Sequence, residues 1–186
     1  AWNVIRVLYE NYDMDKREAE DLLDFVAMAT VCDVMSLTGE NRILVKEGLK
    51  RIRHTKNIGL QALMQACNVQ PENISAYHFG YVLGPCVNAT GRLDTARHAL
   101  RLFETGQETE AEEIARDLVD LNQERKELTL QGVEMAKKLC EEGGYENDPV
   151  LVLFLPDVHE SIAGLIAGRI REMYNRPGFV LTRGEE

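Results

Sequence analysis

The chain has 186 residues, 45% of them hydrophobic and 28% charged, with a formal net charge of −10. That balance belongs to a globular protein rather than a disordered one, and no apolar run approaches the roughly 20 residues of a membrane-spanning helix. Cys32, Cys67, Cys86 and Cys140 share no C-x-x-C spacing and no neighbouring histidine pair, which argues against a zinc site and for reduced thiols in a cytoplasm.

The charge is unevenly spread. Residues 104 to 146 hold 13 acidic and 5 basic side chains, so the remainder is close to neutral. A basic cluster at Lys46, Lys50, Arg51, Arg53 and Lys56 interrupts the acidic background, and a solvated helix face is its plainer reading. Bulk charge therefore does not decide between a nucleic-acid partner and a protein one.

In chain order, AWNVIRVLYE starts without Met and lacks the basic-then-apolar layout of a signal peptide. Val4, Ile5, Val7 and Leu8 read as the side of a helix already under way. At the other end FVLTRGEE stops just after a strand pattern, and both ends suggest a segment of a longer protein. Asp15 and Glu18 form a loose capping box before Ala19, Leu22, Leu23, Val26 and Ala27 at helical spacing. The pattern fails at Asp33 and resumes after the SLTGEN turn in Leu44, Val45, Leu49 and Ile52. A third helix holds Leu60, Leu63 and Met64, with Asn57 placed to cap it.

Pro71 to Leu83 has no clean period, Gly84-Pro85 marks a break, and Asp94 is placed to cap a helix carrying Ala96, Ala99, Leu100 and Phe103. From about Glu108 to Glu142, a narrow stripe of Ala111, Ile114, Ala115, Leu118, Leu121, Leu128, Met135 and Leu139 predicts one helix about 50 Å long at 1.5 Å per residue, stopped by Gly143-Gly144. A single stripe on so long a helix suits a connector between two bodies, or a dimeric coiled coil, and the lack of a strict heptad favours the connector. Residues 150 to 155, VLVLFL, read as a strand buried on both faces. A helix from His159 to Tyr174 and a strand from Phe179 complete a strand–helix–strand unit.

Three places could carry chemistry. Asp33 interrupts an apolar run, and a buried carboxylate needs a cap, a turn, an ion pair or a metal ion. Residues 83 to 96, LGPCVNATGRLDTA, read as a glycine-containing loop whose following helix start could hold an anion, with Arg92 as a fork for phosphate. His159 sits at a strand-to-helix junction, where a capping or solvent-facing role is the commoner outcome.

In this order and spacing, ATVCDVMSLTGENRILVKEGL, LGPCVNATGRLDTA, the long charged helix and VLVLFLPDVHESIAGLIAGRIREMYNRPGFVL resemble the RecJ family of single-stranded-DNA-specific exonucleases, members of the DHH phosphoesterase superfamily. The resemblance implies an α/β fold in three parts. Residues 1–105 would be the mostly helical C-terminal part of a DHH catalytic domain, 106–144 the connecting helix, and 145–186 the start of a DHH-associated domain. It makes Asp33, in A-T-V-x-D-V, a ligand of a two-ion manganese or magnesium site, and sets Asn88, Gly91, Arg92 and His159 against the substrate. The reaction implied is 5′→3′ hydrolysis of single-stranded DNA in repair and recombination, by a cytoplasmic monomer partnered by single-stranded-DNA-binding protein, with no membrane role.

The DHH motif, the upstream aspartates and a G-S-G-R-S stretch are absent from these residues, so this segment alone would be inactive. Cys86 stands where many relatives carry arginine. Two other readings remain: a phosphodiesterase for short oligonucleotides or cyclic dinucleotides, and a non-enzymatic helical adaptor using the acidic helix as a docking rod.

Overall fold

The computed structural model describes residues 1–93 and 95–184, with every side chain among them except those of Lys16 and Arg92. Helices α1 (Trp2–Asn11), α2 (Lys16–Asp21), α3 (Leu23–Cys32), α4 (Gly39–Arg51), α5 (Ile58–Ala66), α6 (Ala76–His78), α7 (Gly84–Leu93) and α8 (Ala96–Glu104) lead into the 36-residue α9 (Glu108–Gly143). Strand β1 (Leu151–Phe154), α10 (Glu160–Tyr174) and β2 (Gly178–Leu181) follow, with β1 and β2 parallel and Leu151 opposite Gly178.

Local chemistry fixes several boundaries. Asp15 caps α2 by accepting the Arg17 N–H, and Asn57 caps α5 by accepting the Leu60 N–H at 2.9 Å. Gly144, at φ +68°, ends α9 in the left-handed conformation that costs glycine nothing. The helix expected to run through residue 22 is two: at Leu22 the N–H turns to the Ala19 carbonyl, three residues back, and the regular helix is interrupted between α2 and α3. The expected cap Asp94 lies outside the described residues.

Two apolar cores share α9. The first gathers Ile52, Leu60, Leu63, Phe79, Leu83 and Leu102 against Ala111, Ile114, Ala115 and Leu118 of α9. The second gathers Leu151, Leu153, Ile162, Ile166 and Ile170 against Val133, Ala136 and Cys140. Each large aliphatic side chain so buried contributes about 1.5–3 kcal/mol relative to exposure. The stripe expected along α9 is right as far as Leu118. Beyond it, Leu121, Leu128 and Leu139 are half-buried, Met135 is exposed, and Gly132, Val133, Ala136 and Cys140 face inward instead. Gly132, Val133, Ala136 and Cys140 follow Ile114, Ala115, Leu118 and Asn122 by five whole turns at about 3.6 residues each, so both cores use one face of α9, from which the seven-residue spacing of Leu121, Leu128 and Met135 drifts away.

The sheet also differs from expectation. Leu151, Leu153 and Leu155 are buried, while Val152, Phe154, Phe179 and Leu181 are exposed, so VLVLFL buries one face only. Helices α9 and α10 pack beside these strands and give the buried residues their partners.

Candidate functional site

Asp33 is the C-cap of α3 and is exposed, which corrects the expectation of a buried carboxylate. Its backbone N–H donates to Ala29, and Val34 follows at φ +55°. Both features are locally unfavourable. A carboxylate at a helix C-terminus meets the negative end of the dipole, and a β-branched residue with positive φ is an outlier. No hydrogen bond reaches the Asp33 carboxylate among the described residues. Burial, with the Asp33 charge added to it, pushes the neighbouring Cys32 thiol above its ordinary pKa. Asp33 opens on a hollow of about 590 Å³ lined also by Ile5, Phe25, Ala29, Met35 and Asn41.

The segment expected as a loop with a break at Gly84-Pro85 is helical from Leu83 to Leu93, and Thr95 is extended before α8. Pro85 lacks an N–H and crowds the preceding turn. The chain answers with a π-helical stretch, Phe79–Leu83, in which the Gly84 N–H reaches back five residues to the Phe79 carbonyl. Gly84 is needed for close approach rather than for an unusual φ: a Cβ there would lie 2.4 Å from the Cys32 Sγ. Cys32 also donates to the Phe79 carbonyl at 3.4 Å. The segment bearing Asp33 and the LGPCVNATGRL segment therefore pack directly on one another.

Asn88 and Gly91 stand exposed on α7, three residues apart and hence on one face. Gly91 is in helical conformation, with nothing within 4 Å of where a Cβ would be. The side chain of Arg92 lies outside the described residues. Thr95, the N-cap of α8, makes no side-chain cap bond to the first N–H groups of that helix.

Cys86 faces inward instead. Its Sγ lies 3.8 Å from that of Cys67 and accepts from the Asn122 amide at 3.5 Å, while the Asn122 carbonyl oxygen accepts from Arg125. Its neighbours Cys67 and Asn122 lower the Cys86 pKa, whereas the Cys67 thiol is pushed up. Sequence reasoning missed this inner contact because Asn122 was hidden in a charged helix.

His159 is exposed and caps α10, its Nδ1 accepting the Ser161 N–H at 3.3 Å. With Nδ1 occupied by the Ser161 N–H, Nε2 is the ring nitrogen left to donate to a ligand. Helix α7 packs on α9 and also touches α10. No group of three His, Cys, Asp or Glu residues capable of holding a metal ion occurs among the described residues. No helix of the described chain is long and apolar enough to cross a membrane.

No protein-family model matches the chain. It is 36% identical over 171 residues to single-stranded-DNA-specific exonuclease RecJ of Haemophilus influenzae, an alignment covering 89% of this chain and 30% of that protein. It is 38% identical over 162 residues to RecJ of Escherichia coli, covering 84% and 28%. The crystal structure of RecJ from Thermus thermophilus in complex with Mg2+ superposes with a TM-score of 0.84 at 33% identity, over 96% of this chain and 28% of that one. A structure of exonuclease RecJ bound to manganese gives 0.84 at 32%, over 98% and 45%. The chain spans less than a third of the length of these curated relatives. Across the segment it spans, the chain is a homologue of proteins named single-stranded-DNA-specific exonuclease RecJ.

Proposed function

We propose that the protein carrying this chain is a metal-dependent 5′→3′ exonuclease of single-stranded DNA. The observation that carries this reading is the superposition on metal-bound RecJ along nearly the whole chain. Asp33 is assigned as one ligand of a manganese or magnesium site. It fits that role: it is exposed, receives no hydrogen bond from the described residues, and sits where the helix dipole disfavours a negative charge that a cation would compensate. One carboxylate is a ligand and not a site, so the remaining ligands lie outside the described residues. When bound, such ions supply activated water and neutralise charge on the phosphate under attack.

The chain's own residues then bind and orient. Asn88 and Arg92 would hold the strand's backbone, and Gly91 would let it approach α7 without a side chain between. His159, as an Nε2–H donor, would contact phosphate from the side of α10. On this assignment residues 1–105 belong to the DHH catalytic domain, α9 within 106–144 spaces the two bodies, and 145–186 begins the DHH-associated domain. The partners are single-stranded DNA and single-stranded-DNA-binding protein, and the protein acts as a monomer.

The test is degradation of end-labelled strands by the complete protein with manganese or magnesium, beside a dinucleotide. Release of 5′ nucleotides from long strands, with the dinucleotide a poor substrate, supports the reading. The reverse preference would make it an oligonucleotide phosphodiesterase.

A further inference from the structure

Four cations, Arg42, Lys46, Lys50 and Arg53, recur along α4 and the turn after it at spacings of four, four and three residues. That spacing sets them on one face, over about 16 Å at 1.5 Å per residue. All four line one groove of about 540 Å³, with Val45 and Leu49 in its floor. Of the two members of the sequence cluster that do not line this groove, Arg51 and Lys56, Arg51 is paired with Glu20 at 2.6 Å and Asp21 at 3.3 Å.

In the groove, Lys50 has an exposed pairing with Glu47 at 2.7 Å, Lys46 acts on the same carboxylate only at longer range, and Arg42 and Arg53 make no salt bridge among the described residues. Like charges four residues apart repel. A chain of net charge −10 thus leaves three of these four cations without a salt bridge among the described residues, on a surface complementary to a polyanion.

Two further observations say which polyanion. Ala76 lines the groove, and its neighbour Tyr77 stacks on Tyr81 with ring centroids 5.2 Å apart and planes 23° from parallel. The two are 62% and 74% exposed, an aromatic platform open to solvent. Duplex bases have no free face to offer such a platform, whereas unpaired bases do. At the other end, Asn41 lines the Asp33 hollow and Arg42 lines the groove, so the two depressions flank the first turn of α4.

We propose that the Arg42–Lys46–Lys50–Arg53 groove, with the Tyr77–Tyr81 platform, is a docking track for a single-stranded nucleic acid leading towards Asp33. The inference rests on the exonuclease reading, and adds to it where the strand outside the metal site is held.

The test uses the complete protein without divalent metal, and measures binding of a labelled oligothymidylate across a salt series. For the R42Q/K46Q/R53Q variant the slope of log affinity against log salt should become shallower by about 2, at about 0.7 for each phosphate no longer neutralised. For Y77A/Y81A, affinity should fall about tenfold or more. Both variants should melt like the parent and, with manganese restored, cleave a trinucleotide at the parental rate. An unchanged slope and affinity in folded variants overturns the track and leaves the exonuclease reading standing. A parent that neither binds nor degrades single strands overturns both. Groove variants that lose only the binding of an acidic peptide also overturn the proposal, since the groove would then belong to a protein partner.

Discussion

Cys32 and Gly84 meet where the helix ending in Asp33 crosses the start of α7. A Cβ on residue 84 would sit 2.4 Å from the Cys32 Sγ and 2.5 Å from the Phe79 carbonyl oxygen. This contact places the candidate metal ligand, one residue beyond Cys32, in fixed register with the helix bearing Asn88 and Gly91.

Gly84→Ala should therefore destabilise the fold by about 1–3 kcal/mol, the usual cost of forcing an extra carbon into a packed contact. Gly91→Ala meets open space in a helical conformation and should stabilise by about 0.5–1 kcal/mol. Thermal unfolding of both variants checks the pair. If the strand's backbone passes close to α7, Gly91→Ala should also lose nuclease activity despite its added stability.

Val34 offers a second separation of stability from function. A non-glycine residue in the left-handed region costs roughly 1–2 kcal/mol, part of which glycine returns through its freer unfolded chain. Val34→Gly should raise stability by about 0.5–1 kcal/mol, seen as a melting shift of about 2–4 °C per kcal/mol for a chain of this size. If the strained turn holds Asp33 in place, the same variant should cleave more slowly. Equal activity would make the strain incidental.

The start of α9 supplies a pH dependence. The Arg101 guanidinium, followed by the Thr105 hydroxyl, holds the Glu110 carboxyl below its ordinary value of 4.5. Because the folded value is the lower one, the stabilising contribution is complete above the unfolded value and is lost as pH falls through the folded one. Glu110→Gln should lower the melting temperature slightly near neutral pH, and the gap to the parent should close on acidification below about pH 4. The pair is exposed, so the effect is small and shrinks in salt.

Much of this was legible in the residues, for identifiable reasons. Asn57 before an apolar triplet and glycines after a long helix act locally, and the structure uses Asn57 and Gly144 as the pattern implies. Features set by tertiary packing were not legible. Gly84-Pro85 reads as a break, but tight packing of Gly84 on Cys32 and a π-helical stretch carry the chain through it. Met135 reads as core until the second apolar body takes Gly132, Val133 and Ala136 instead. Asp33 reads as buried because its neighbours are apolar, yet Val34 and Met35 are themselves exposed. At the candidate site, order and spacing indicated the family, whereas the inward turn of Cys86 needed Asn122, 36 residues away.

The central claim is that Asp33 holds a catalytic metal ion. The most direct measurement compares the complete protein with its Asp33→Asn variant, in manganese binding by calorimetry and in 5′→3′ degradation of labelled single strands. Asp33 is exposed and its carboxylate receives no hydrogen bond from the described residues, so the variant should melt at the parental temperature. The account predicts weakened manganese binding and a rate lower by orders of magnitude. A variant that binds manganese and degrades DNA as the parent does would make Asp33 a helix cap and nothing more.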